Sequence, residues 1–507
     1  MLVCFYNITD YIFMLPKILF KKRGEMLNNL ENLTPKEVFR WFYEICNIPH
    51  GSGNTQAIAD FISNFAVQRG YRNIKDEANN VIVYADGTLG YENSKPIVLQ
   101  GHIDMVCEKD NQCTIDMETE PVKLCTNGEF ICADGTTLGG DNGIAIAYML
   151  AILDDKSIPH PPLEFLFTAD EEIGMVGARF LDVNNLNTNL LINIDSEVEG
   201  VLTVSCAGGV RAHCDIPIEK ENTNGECFKI TINGLRGGHS GIDINQRRIN
   251  ANKLMAEVLC NIYPKIKFRL VEINGGNKDN VITSSCECII CVDNTITDNL
   301  LETVNKINNR LKAENKNNEP NLNISAVKVD NFQQCMTLSS TEKILFALLQ
   351  VPNGVETMSP DIPNMVQTSL SLGVLNTKEN SVYMRFFIRS NVDSEKEALV
   401  LKIQSFFEHW DGTTEFCNDY PAWEYRQDSR LREIMIETFK KIYGYAPKVT
   451  ALHAGLECGI LSGKIPNMDA VSFGPDMFNV HTSKEKLNVA SAERCWEYLK
   501  SVLENCK

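Results

Sequence analysis

The chain has 507 residues, 44% of them hydrophobic and 22% charged, and carries a formal net charge of -18. That length suits two or three cores rather than one, and the composition excludes a fibrous or disordered chain. Its negative field disfavours nucleic acid and anionic membranes as partners and favours a small or zwitterionic ligand.

The first 25 residues, MLVCFYNITDYIFMLPKILFKKRGE, are apolar, but Asp10 and Pro16 interrupt the run and the basic residues follow it, the reverse of a secretory signal. No transmembrane helix is expected there. Met26 is the expected native start, and residues 1–27 read as an N-terminal extension ahead of the first domain. Thr34 before Pro35 and Glu37 then predicts a capped amphipathic helix within MLNNLENLTPKEVFRWFYEIC.

From 28 to 206 helix and strand alternate: KPIVLQG, LEFLFTA and NLLINIDS read as buried strands of an α/β sheet, and NGIAIAYMLAILDD as a helix between them. From 207 to 405 alternating strands such as ECFKITING, CECIICVD and SVYMRFFIRS, broken by the helices RINANKLMAEVLCNIY and NLLETVNKINNRLKAE, predict an α+β domain of its own. Residues 406–507 return to the first texture, so the second domain reads as an insertion into the first. KAENKNNEPN, at 312–321, reads as an unspecialised polar loop.

The 18 cysteines are scattered through predicted strands and helices, the pattern of reduced, mostly buried thiols in a cytosolic protein. Cys286, Cys288 and Cys291 are close in sequence but lack zinc-ribbon spacing and read as structural.

Three predicted strands end in ionisable residues, and the carboxyl ends of strands in open α/β sheets are where ligands bind. In GHIDM, His102 and Asp104 are two apart and share one side of a strand. In GTTLGGDNGIAIA, Asp141 lies in a glycine-rich turn before a helix; it reads equally as an N-cap, and no lysine follows to make the turn a phosphate loop. In LEFLFTADEEIG, adjacent Glu171 and Glu172 follow an apolar strand, where two like charges are costly without a cation. One of the pair can then ligate while its neighbour handles protons. Asp195 in NIDSEVEG and His481 in SFGPDMFNVHTSKE follow apolar runs in the same way. Together His102, Asp141, Glu172, Asp195 and His481 make five nitrogen and oxygen donors, with Asp104 and Glu171 as non-ligand partners. Such a set suits two zinc ions, or cobalt or manganese, if one carboxylate bridges, and Asp141 is the expected bridge.

The strings VLQGHIDMV, DGTTLGGDNGIA, TADEEIGM, INIDSEVEG, GLRGGHSG, NANKL and LHAGLECG, with the late histidine, resemble the aminoacyl-histidine dipeptidase branch of the di-zinc metallopeptidase and deacylase family, from about residue 28 to the C-terminus. The resemblance implies a zinc-peptidase-like catalytic domain, with a mixed sheet flanked by helices, and an inserted lid and dimerisation domain. It implies that His102 and Asp195 hold one metal and Glu172 and His481 the other, with Asp141 bridging and a cis peptide at Asp141–Asn142. Asp104 would orient His102, and Glu171 would be the general base. His239 in GGHSG would stabilise the oxyanion, often across the dimer. Asn280 and Arg389 would bind substrate, with Arg389 gripping a terminal carboxylate. His453 and Glu457, in ALHAGLECG, join the substrate-binding set without assigned contacts. The remaining histidines (50, 160, 213 and 409) read as structural.

The expected function is that of a cytoplasmic, homodimeric metallopeptidase cleaving dipeptides, Xaa-His dipeptides such as carnosine among them. Its rivals are a related tripeptidase or N-acyl amino acid deacylase, and a non-catalytic dimeric binding paralogue.

Overall fold

The computed structural model describes residue 30 and residues 32–223, 225–293 and 297–507. The proposed start at Met26 and the N-terminal extension fall outside these residues. The described residues form two compact units: those up to 204, with 426–450 and 460–507, make the first, and those of 205–425 with 451–459 the second. The second unit thus runs 20 residues past the expected boundary at 405 and also takes up the ALHAGLECG segment at 451–459.

In the first unit, a mixed sheet has the order Arg72–Lys75, Val81–Ala85, Leu163–Thr168, Ile97–His102, Leu190–Asn193, Asp469–Ser472, followed by Val201–Cys206 and Lys448–Leu452. Ile97–His102 is parallel to both its neighbours, and Leu190–Asn193 is parallel to Asp469–Ser472. These strands therefore end along one edge, which carries the loops to Asp104, Glu171 and Asp195. Being central, Leu163–Thr168 and Ile97–His102 are buried at every position, which is why they read as continuous apolar runs.

The helix Gly140–Asp154 is buried almost all round and lies hard against Ile97–His102. A Cβ on Gly101 would collide with Asn142 Oδ1 and lie 2.8 Å from Ala145 Cβ, so this glycine lets the helix start beside His102. Tyr148 of the helix stacks on Trp496 of the C-terminal helix Val489–Asn505, with centroids 5.7 Å apart. Near the start of the described residues the helix is Lys36–Cys46, with no side-chain cap; it begins one residue later than expected, so Pro35, extended and without a side-chain acceptor, takes the N-cap position in place of Thr34.

A small sheet completes this unit, with Met477–Phe478 and Lys486–Asn488 forming a hairpin that continues into Phe130–Ala133 and Leu124–Thr126. Cys125 and Cys132 are direct partners across the last pair, with Cα atoms 5.2 Å apart, and form a disulfide. This departs from the expectation of reduced thiols throughout: strand register places two cysteines opposite each other that nothing in their spacing identifies.

The second unit is an antiparallel sheet, ordered Asn323–Val329, Glu226–Asn233, Cys286–Val292, Phe268–Gly275, Val366–Thr377, Ser381–Ser390, Gly208–Pro217, Thr413–Tyr420. Even-numbered residues of Glu226–Asn233, Cys286–Val292 and Ser381–Ser390 form one core with the helices Ala251–Ile262, Thr297–Asn315, Leu338–Gln350 and Asp393–His409. Cys286 and Cys288 belong to that core, whereas Cys291 packs on the opposite face, so the three cannot converge on one ion. The segment 312–321 is more than a polar loop: the helix continues to Asn315, and buried Glu319 accepts from Arg236 N at 2.8 Å and Ile249 N at 3.0 Å.

Candidate metal centre

Each donor of the first unit is presented by a different element. His102 closes the strand Ile97–His102, Asp141 opens the buried helix after Gly139 and Gly140, Glu172 follows Leu163–Thr168, and Asp195 follows Leu190–Asn193. His481 lies in the loop of the Met477–Asn488 hairpin, with left-handed backbone at Asn479 and His481 (φ 54° and 62°). The Asp141–Asn142 peptide is cis, and Asn142 Nδ2 donates to Ile194 O at 2.7 Å, tying the Asp141 turn to the residue before Asp195.

The side chains converge. His102 Nε2 is 3.1 Å from Asp141 Oδ1 and 3.4 Å from Asp195 Oδ1. His481 Nε2 is 2.7 Å from Glu172 Oε1 and 3.2 Å from Asp141 Oδ2. The two oxygens of Asp141 therefore face two different histidines. Donor atoms of His102, Asp141 and Asp195 lie within 4.8 Å of one another, as do those of Asp141, Glu172 and His481, and also those of His102, Glu171 and Glu172. Every member of these clusters is a candidate from the sequence, and the structure brings all of them together.

The electrostatics show what the site demands. Burial opposes charge on His102, but Asp195, Asp104 and Asp141 outweigh it and raise its pKa well above the usual imidazole value. Hydrogen bonds to Asp141 and Glu172 raise that of His481 to about 11. Burial pushes the Asp195 carboxyl up to about 7 despite His102 beside it. Buried carboxylates this close together call for positive charge, and mixed imidazole and carboxylate donors suit divalent zinc, cobalt or manganese.

Asp104 organises the donors without being one of them. Its Oδ1 accepts from Glu171 N at 2.9 Å, and its Oδ2 from Ser52 Oγ at 2.7 Å and Glu172 N at 3.3 Å. His102 Nδ1 donates to Asp104 O at 3.0 Å, which directs Nε2 toward Asp141 and Asp195. Glu171 is thereby held beside the donors by its backbone. Ser52 and Glu485, which contacts the Asp141 turn, were missed in the sequence, where nothing sets them apart.

In the second unit, Gly241 sits at a junction: a Cβ there would collide with His453 O and lie 3.1 Å from His239 Cε1 and 3.2 Å from Arg389 Nε. His239 Nδ1 accepts from Gly241 N at 3.2 Å and Ile242 N at 3.1 Å, which leaves the proton on Nε2. Burial and the Arg389 charge lower its pKa to about 4, so the ring is neutral near pH 7. Arg389 is 4% exposed, lies over the Phe387 ring at 3.9 Å, and donates from Nη1 to Tyr420 Oη at 3.4 Å. Among the described residues no carboxylate pairs with it, and its Nε has no acceptor. Tyr420 was not anticipated; a Cβ on Gly455 of the ALHAG string would lie 3.1 Å from the Tyr420 hydroxyl, so the glycine gives that ring room.

His453 Nδ1 donates to Asn391 Oδ1 at 3.1 Å, and Nε2 accepts from Ser369 Oγ at 2.7 Å. Both ring nitrogens are engaged within the unit, which fixes the orientation of the ring. Asn280 is half-buried, and its carbonyl accepts from Ser240 N at 2.9 Å, next to His239. Glu457 is fully buried at the start of the helix Glu457–Lys464.

The profile of peptidase family M20/M25/M40 matches residues 98–505. The chain belongs to peptidase family M20/M25/M40. It is 35% identical over 480 residues to the cytosol non-specific dipeptidase of Escherichia coli K12, covering 94% of this chain and 99% of that protein. The crystal structure of aminoacylhistidine dipeptidase from Vibrio alginolyticus superposes with a TM-score of 0.88 at 36% identity, covering 94% of this chain and 97% of that one. Aminopeptidase PepT of Bacillus cereus shares the fold at 14% identity and a TM-score of 0.56, over 94% and 99% of the two chains. As a family M20 peptidase, the chain has the mixed-sheet fold flanked by helices that the sequence implied. No helix among the described residues is long and apolar enough to cross a membrane.

Proposed function

We propose that this M20 peptidase is a cytoplasmic, homodimeric dipeptidase that cleaves Xaa-His dipeptides among others and works with two divalent cations, zinc first and cobalt or manganese as substitutes. The observation that carries this reading is Asp141, whose two carboxylate oxygens each face a separate histidine-containing donor cluster. On this reading His102 and Asp195 would hold one cation and Glu172 and His481 the other, with Asp141 a donor to both. Such cations supply Lewis acidity and lower the pKa of water toward ~7.

The chain's own groups do the rest. Glu171, fixed by its amide to Asp104, takes a proton from the attacking water and returns it to the leaving amine. His239, neutral and with its proton on Nε2, donates to the carbonyl oxygen as negative charge builds there. Arg389, buried without a carboxylate partner, supplies the missing anion's site, which a dipeptide's C-terminal carboxylate satisfies. Asn280, whose carbonyl holds the Ser240 amide beside His239, is a further substrate-binding residue on this reading.

A panel of free dipeptides, including an Xaa-His member, tripeptides and N-acyl amino acids tests the reading on purified, metal-loaded protein. Dipeptides are the expected substrates. Exclusive cleavage of tripeptides or acyl amino acids would move the assignment to a related peptidase or deacylase, and binding without turnover to a non-catalytic paralogue.

A further inference from the structure

Two of the five donors do not sit on strand ends of the large sheet. Asp141 follows the turn Leu138-Gly139-Gly140, and His481 belongs to a hairpin loop more than 300 residues later, so something must hold these two loops in register. Glu485 touches both. It is 3% exposed. Its Oε2 accepts from Leu138 N at 2.8 Å and Gly139 N at 3.1 Å, and its Oε1 from Gly140 N at 2.8 Å and Asp141 N at 3.3 Å. Four successive amides thus converge on one carboxylate. Glu485 N in turn donates to Thr482 O at 3.0 Å, closing the turn that follows His481, and the next three residues are pinned by strand pairing to Phe130–Ala133.

Among the described residues no cation pairs with Glu485, so its charge is balanced by backbone N–H dipoles. The glycines are what this requires: Gly139 is left-handed (φ 72°), and a Cβ on Gly140 would lie 3.2 Å from Oε1. We propose that Glu485 is a positioning residue of the metal centre, which sets the shared donor Asp141 against the donor His481. The inference rests on the two-metal reading above. It separates from an ordinary helix cap because a cap contributes only stability, whereas a residue that sets donor geometry also governs metal affinity.

The test is Co2+ binding to full-length apoprotein, by competition with a chromophoric chelator, for wild type, Glu485→Gln and Glu164→Gln. Glu164 is an equally buried carboxylate that accepts from Asn187 N at 3.0 Å and Asn187 Nδ2 at 2.6 Å, at the start of Leu163–Thr168. Glu485→Gln keeps the side-chain volume but turns an amide NH2 toward two N–H donors. The expected result is about a 10–100-fold loss of affinity for the weaker Co2+ equivalent, an altered visible spectrum, and a fall in kcat at saturating metal with KM little changed. Glu164→Gln should lower Tm and leave Co2+ affinity at the wild-type value. Equal Co2+ affinity in Glu485→Gln and wild type overturns the inference. If Glu485→Gln does not fold, Gly140→Ala presses on the same contact from the other side, and its weakened or unchanged Co2+ affinity decides in the same way. A wild-type protein that binds no divalent metal overturns the metal reading itself.

Discussion

At Asp104 three donors meet one side chain, Ser52 Oγ and the amides of Glu171 and Glu172, and the imidazole of His102 lies 3.4 Å from Oδ1. Asp104→Asn keeps the shape but replaces an acceptor by a donor, which turns the Glu171–Glu172 amides away. The expected outcome is a fall in kcat of about 10–100-fold with the fold retained, checked by steady-state kinetics alongside metal content. His453 gives a pH prediction. Burial and the Arg389 charge lower its pKa to about 3, whereas in the unfolded chain an imidazole titrates near ~6.5. Between these values the unfolded chain binds a proton that the folded chain does not, so stability is lost as pH falls through that window, at about 1.4 kcal/mol per pH unit. In urea unfolding of chelator-treated protein from pH 7 to 4, His453→Gln should reduce the pH slope by one proton; an unchanged slope would contradict the assignment. At this scale the donors were legible because each follows an apolar strand or opens a helix. Glu485 was not, because its partners are up to 347 residues away and a glutamate after a lysine carries no local signal.

Among elements, the approach of the helix Gly140–Asp154 to the strand Ile97–His102 sets the distance between Asp141 and His102. Gly101→Ala puts a methyl against Asn142 and Ala145, which should cost roughly 1–3 kcal/mol in urea unfolding and abolish metal-dependent turnover as the two donors part. In the second unit, Glu319→Gln replaces a carboxylate that holds the amides of Arg236 and Ile249, and a loss of about 1–3 kcal/mol is expected without a change in metal affinity. The strands of this unit were legible because one face packs on helices and the other does not, so apolar residues alternate. The 312–321 segment misled because its surface is polar while one residue, Glu319, turns inward. The disulfide at Cys125–Cys132 was hidden for a related reason: register across a hairpin is fixed by the turn and by the neighbouring strand, and cysteine count does not reveal it.

For the whole molecule, the layout explains why the chain's ends could be read as one domain and its middle as another, and why the joints could not. The sheet of the first unit is parallel at its centre and reads as apolar runs, and the antiparallel sheet of the second reads as alternation. The 451–459 segment has neither texture, and its place in the second unit follows from contacts such as His453 with Ser369 and Asn391. Metal should also stabilise the molecule as a whole, because the donor clusters exist only when the sheet edge is assembled. Adding Zn2+ at 100 times its Kd to chelated protein should raise unfolding free energy by about 2.7 kcal/mol per site, seen as a rise in Tm, and the chelated protein should have no peptidase activity until Zn2+, Co2+ or Mn2+ is restored.

In the proposed reaction two metals held by His102, Asp141, Glu172, Asp195 and His481 serve a dipeptide hydrolysis in which Glu171 moves the proton. It is tested most directly by measuring dipeptide turnover and bound metal together in wild type and Glu171→Ala. The account predicts two equivalents of metal in both proteins and a kcat lower by about 10²–10⁴-fold in the variant; turnover by Glu171→Ala at the wild-type rate, or a fully metallated wild type that cleaves no dipeptide, would contradict it.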